Sequence, residues 1–113
     1  MKTDELLRRL ALNDEKAVRR AIGDARPAAL DVKTAALVRL AALLSIGAAT
    51  ASCRPAVERA RAAGASDEEI VGVLVAVGPA IGAARVVAAA PRLALAADYE
   101  VEDLDASWSE EPA

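Results

Sequence analysis

Residues 59–74 read R-A-R-A-A-G-A-S-D-E-E-I-V-G-V-L, and this stretch decides the fold class. Ser66-Asp67-Glu68-Glu69 has the form of a capping box. The Ser66 hydroxyl and the Glu69 carboxylate can each satisfy a backbone N–H that a helix start leaves unpaired. Ile70, Val71, Val73, Leu74, Val75 and Val77 follow. Taken alone, that β-branched run would suit a strand. Behind a capping box, and with Gly64 placed to end a preceding helix in the left-handed region, it predicts a helix.

Working outward, the same logic holds along the chain. Thr3, Asp4 and Glu5 open a short helix with Leu6, Leu7 and Leu10 on one face, ending near Asn13. Asp14 and Glu15 open a second, with Ala17, Val18, Ala21 and Ile22 on one face and Gly23 as its stop. Arg26-Pro27 belongs to a connector. Asp31 caps a third helix, Val32 to about Ile46, which is apolar nearly all round past Thr34 apart from Arg39. Such a helix is buried within or between subunits. Gly47 ends it. Ser52 is the natural cap of a fourth helix, with Pro55 in its first turn and Arg54 and Glu58 spaced to pair. Gly78-Pro79 and Gly82 interrupt the chain after the fifth helix. A last helix, about Ala83 to Ala97, carries Pro91, which should kink or split it near Ala90. No segment reads as a hairpin of strands, so the fold is all-α, with about five to six helices.

Composition sets the character of that fold. The 113 residues include 30 alanines, one tyrosine, one tryptophan and no phenylalanine. Alanine favours helices but buries little area, at roughly 25 cal/mol per Å². A core of Ala, Val and Leu must therefore rely on close helix approach, and burial between subunits would add to it. The chain is expected to form a homo-oligomer. The organisation expected is one helical domain over residues 1–97 and an acidic tail over 98–113. That tail holds Asp98, Glu100, Glu102, Asp103, Asp105, Glu110 and Glu111 and no base, leaving 14 bases against 10 acids elsewhere. It reads either as a solvated terminus or as a strap on the basic body, anchored by Trp108. The bases are scattered and aromatics are few, so nucleic acid is not an expected partner.

Other classes are excluded more sharply. One cysteine, Cys53, allows neither an internal disulfide nor a CxxC pair, and the chain has no histidine. The commonest general base and the commonest metal ligand are thus absent, and no metal or cofactor is expected. Charges among the first ten residues argue against a signal peptide. The uncharged run Leu40–Cys53 is too short to span a bilayer. A cytoplasmic protein without a membrane partner is expected.

The order of elements is a buried helix, a glycine, a helix closing in A-G-A-S, a D-E-E-I start, an apolar helix and a Gly-led last helix. Over about residues 30–97 it resembles the carboxymuconolactone decarboxylase family, which includes the AhpD-like alkylhydroperoxidases. The resemblance is strongest over residues 59–74. It implies an all-helical bundle that assembles as a trimer or hexamer. In the redox branch a glutamate precedes a C-x-x-C-x-x-x-H motif. By that resemblance the glutamate position falls on Leu37, the two cysteines on Ala49 and Ser52, and the histidine on Ala56. All four are replaced, and Cys53 lies one residue past the second cysteine position.

Two function classes lead, beside a third possibility, an interaction module whose acidic tail recruits a partner. The first is a carboxymuconolactone decarboxylase-like protein without the catalytic Cys/His set, non-redox, with a binding or structural role toward a small carboxylate or apolar ligand. The second is an enzyme with reassigned chemistry. It would be either a one-cysteine peroxidase, with Cys53 at the first position of the fourth helix and its thiol activated by the helix dipole and Arg54, or a lyase or decarboxylase using Glu58 with Arg54 or Arg59. The candidate catalytic residues are Cys53 and Glu58. The candidate ligand-binding residues are Arg54, Arg59 and Arg85, the last a lone cation in G-A-A-R-V-V that needs a carboxylate or water.

Overall fold

In the computed structural model, residues 2–23 and 29–99 are described. Among them are six helices and no strand: α1 (Thr3–Ala11), α2 (Glu15–Gly23), α3 (Val32–Ser45), α4 (Thr50–Ala62), α5 (Asp67–Ile81) and α6 (Ala83–Ala96). The chain divides into two compact units, with the boundary between Leu30 and Asp31. The Arg26-Pro27 connector, Trp108 and all of the acidic tail past Tyr99 lie outside the described residues.

The first unit is the pair α1–α2. α1 ends at Asn13, whose φ of 57° lies in the left-handed region, and Asp14 N–H bonds back to Arg9 O. That closes the helix in the double-bonded turn in which glycine or asparagine is common. The Asp14 carboxylate then accepts from Ala17 N–H and starts α2.

The second unit is a four-helix bundle, α3 to α6. Its core has no aromatic residue. Leu40, Cys53, Val57 and Ala60 are fully buried, and Leu44, Ile70, Leu74, Ala89, Leu93 and Ala96 complete it. The helix starts follow the sequence logic. Asp31 Oδ1 accepts from Thr34 N–H at 2.7 Å. Ser66 Oγ accepts from Glu69 N–H, and Glu69 Oε1 accepts from Ser66 N–H at 3.0 Å. Lys33 bonds the other Glu69 oxygen at 3.0 Å, tying the start of α3 to the start of α5.

These contacts make the bundle acid-sensitive. The Thr34 N–H holds the Asp31 carboxyl below its ordinary pKa, and the Ser66 N–H followed by Lys33 does the same for Glu69. A carboxylate with a depressed folded pKa contributes stability that is present above its ordinary range and lost as pH falls through the folded value. Urea midpoints should therefore hold steady down to about pH 5 and fall below it. Glu69→Gln should flatten that fall.

The helix ends explain two boundaries. At Gly47, Gly64 and Asp98 the same double-bonded turn recurs: Ala48 N–H to Leu43 O, Ala65 N–H to Ala60 O, and Tyr99 N–H to Ala94 O. Asp98 and Tyr99 therefore belong to the cap of α6. Ser52 is not the cap of α4. The turn at Gly47–Ala48 delivers the chain straight into the helix, and Ala49 takes the cap position without a side-chain acceptor. Ser52 falls inside the first turn and Pro55 beyond it.

The prolines also depart from expectation. Gly78-Pro79 does not interrupt α5, and Pro91 does not split α6. An internal proline frees the carbonyl four residues earlier. For Pro55, Pro79 and Pro91 those residues are Ala51, Val75 and Val87, and all six residues are exposed. Each lost bond lies on an outer face, so each helix runs on. Only Gly82 divides α5 from α6. Its φ of 88° and ψ of 160° belong to a region that glycine alone occupies readily. Gly82→Ala should cost about 1–3 kcal/mol in chemical denaturation, by strain alone, since no atom crowds the site.

Candidate functional site

The positions singled out by the resemblance lie on α3 and α4 and on the turn between them. Leu37 is half-buried against the core, Ala49 and Ser52 are exposed, and Ala56 is buried. Cys53 lies among them in sequence but faces inward. Helix geometry sets it about 100° round from Ser52. Its side chain is 0% exposed, and Sγ stands 3.8 Å from Ala48 O. Cys53 is the fourth residue of α4 rather than the first, because the helix begins at Thr50. Burial pushes its thiol pKa up, and the charge of Arg92 acts in the opposite direction with less effect. The cation that influences the thiol is thus Arg92 and not Arg54. A raised pKa disfavours the thiolate, which is the nucleophilic form.

Three arginines tie helix ends together across the bundle. Arg92, on α6, donates Nη1 to Gly47 O at 3.2 Å and so fixes the α3–α4 turn from behind. Arg54 donates Nη1 to Asp98 Oδ1 at 2.7 Å and Nη2 to Leu95 O at 2.9 Å. The pair expected with Glu58 is not formed. Asp98 and the α6 end offer Arg54 a carboxylate and a carbonyl at once, and the bond to the carboxylate supports Asp98 in its left-handed backbone, φ 65°. Arg61 contacts Asp67 Oδ1 at 3.1 Å and Ala97 O at 2.9 Å from the same nitrogen. It thereby clamps the start of α5 to the end of α6.

Of the remaining candidates, Glu58 and Arg59 lie exposed on the outer face of α4, and Arg85 is exposed near the start of α6. None of the three has an ion-pair partner among the described residues. The structure thus turns Cys53 and Ala56 inward and leaves Glu58 and Arg59 exposed. Among the described residues no cluster of acidic or sulfur ligands could hold a metal ion. No described helix is long and apolar enough to cross a membrane. Arg92 was not expected as a positioning residue. Its only sequence signal is that of Arg85, a lone cation in an alanine-rich helix.

The family model for carboxymuconolactone decarboxylases matches residues 15–95. The chain belongs to the carboxymuconolactone decarboxylase family. The match begins well before the region of resemblance at residue 30, taking in α2, and it ends within α6. Neither the curated proteins nor the solved structures provide a match.

Proposed function

We propose that this chain is a non-redox member of the family, an oligomeric binding or structural protein without the family's catalytic cysteine and histidine set. The observation that carries the reading is the burial of Cys53. The one thiol of the chain is closed off from water, its ionisation is disfavoured, and the sequence offers no second thiol to resolve it and no imidazole to relay a proton. At the positions matched to the redox motif, Leu37, Ala49 and Ala56 present only carbon, and Ser52 a hydroxyl. An apolar or weakly polar ligand suits such groups, and for a small carboxylate Arg59 is an exposed cation on α4 without an ion-pair partner among the described residues. Arg54 is already engaged by Asp98. Assembly as a trimer or hexamer, in the cytoplasm, completes the proposal, and a single reduced thiol fits that compartment.

The test is turnover. Purified protein supplied with alkyl hydroperoxide and dithiol reductant, or with a muconolactone-type acid, is expected to show no rate above buffer. The Cys53→Ala variant should give the same trace. Peroxide consumption that Cys53→Ala abolishes would establish the one-cysteine peroxidase instead. Decarboxylation abolished by Glu58→Gln would establish the lyase.

A further inference from the structure

The outer face of α6 is apolar along its length. At about 100° per residue, Ala84, Val87, Ala88, Pro91 and Leu95 fall within about a third of the helix circumference. All five are exposed, Val87 by 72%. Ala89, Leu93 and Ala96 lie on the other side, in the core. Arg92 and Arg85 border the strip along one edge, about 40° and 60° past Ala88. That edge faces the α3–α4 turn, because Arg92 reaches Gly47 O across it. Arg85 is exposed, and neither arginine has an ion-pair partner among the described residues. A contiguous exposed apolar strip with a charged rim marks an interaction site.

The chain itself supplies the complement. The described residues end at Tyr99, whose N–H bonds Ala94 O and so brings the chain back over the last turn of α6. Beyond it come six acids, Glu100, Glu102, Asp103, Asp105, Glu110 and Glu111, and no base, with Val101, Leu104 and Trp108 interspersed. Acids suit the basic edge, and the apolar residues suit the strip. The reach suffices. Trp108 lies nine residues past Tyr99, up to about 30 Å of chain, while Leu95 to Ala84 spans about 17 Å of helix. α4 offers no rival edge here. Its Arg54 and Arg61 are engaged by Asp98 and Asp67, and Glu58 shares their side of the helix. α5 carries no charge from Ile70 to Ile81.

We propose that residues 100–113 lie along the outer strip of α6 in their own chain, with Trp108 on the apolar residues around Val87 and the acids against Arg92 and Arg85. The contact gives Arg85 the carboxylate that its place in an alanine-rich helix calls for. Exposed ion pairs of this kind fix position more than they add affinity. The apolar strip supplies the burial.

Trp108 is the one tryptophan of the chain, so its fluorescence reads the contact in the full protein. In the folded state its emission should lie to the blue of the urea-unfolded value, and acrylamide should quench it several-fold less. Val87→Glu, at an exposed site and with the helical circular dichroism intact, should abolish both effects by setting acid against acid on the strip. Arg85→Glu should weaken the protection, and Arg85→Lys should keep it. A folded, unmodified protein whose Trp108 emits and quenches as in the unfolded chain would overturn the proposal. Protection that Val87→Glu and Arg85→Glu both leave unchanged would overturn it too, since Trp108 then rests on another surface. So would protection lost on dilution, which would give the strip to the tail of a second copy.

Discussion

Leu40→Ala is expected to remove about 3 kcal/mol of stability from the bundle, within the 2–5 kcal/mol that such truncations cost. Leu40 is fully buried in the middle of α3, where α4, α5 and α6 all pack. In this core it is one of few large side chains, since the neighbours that would collapse around it are mostly alanine, valine and cysteine. Small neighbours have little reach, so the cavity stays open and the cost lies above the simple transfer term. Domains of this size are stable by only about 5–15 kcal/mol. The variant should show a much lower urea midpoint with an unchanged slope, and a midpoint within error of the parent would contradict the assignment of Leu40 to the core centre.

Ala60→Leu is the complementary case, and it should destabilise by about 1–3 kcal/mol. Ala60 is fully buried on α4 and carries the carbonyl that closes the helix at Ala65 N–H. In an alanine-built bundle such a position sets how closely the helices approach. Adding three carbons must push α4 outward and loosen the Arg54 and Arg61 contacts to the end of α6. Ala62→Leu, two residues on and exposed, is the control and should change the midpoint little. Equal effects at 60 and 62 would show that helix propensity rather than packing governs the bundle.

Much of this arrangement is legible in the sequence. The capping box at Ser66 and the cap at Asp31 are local devices, complete within four residues, and both form as expected. Gly47 and Gly64 end their helices for the same local reason. The errors lie where a distant partner or a three-dimensional face decides. Ser52 is a good cap by type, but the turn at Gly47–Ala48 starts α4 earlier. Pro79 and Pro91 look like breaks until it is clear that the carbonyls they free belong to the outer residues Val75 and Val87. Arg54 is spaced to pair with Glu58, yet Asp98, 44 residues away, offers a better site. Arg92 on Gly47 spans 45 residues, which no local pattern reveals.

At the candidate site the sequence supplied the identities and the fold supplied the directions. That Leu37, Ala49, Ser52 and Ala56 occupy the motif positions is visible from the chain alone, through the resemblance. Whether Cys53 faces water or core depends on the phase of α4, and that phase follows from its start at Thr50. Moving the start from the residue after Ser52 to Thr50 takes Cys53 from the first position of the helix to the fourth. It thereby separates the thiol from the unpaired N–H groups that would have lowered its pKa.

The accessibility of that thiol is the central claim, and its labelling rate is the most direct measure of it. With a thiol-exchange reagent at neutral pH, the folded protein should release almost no chromophore, and one equivalent per chain should appear once urea unfolds the bundle. In the folded state the residual rate should track stability, rising in Leu40→Ala, because the reagent reaches Cys53 only through opening of the bundle. One equivalent released by the folded protein as fast as by the unfolded chain would contradict the account and return Cys53 to the list of reactive groups.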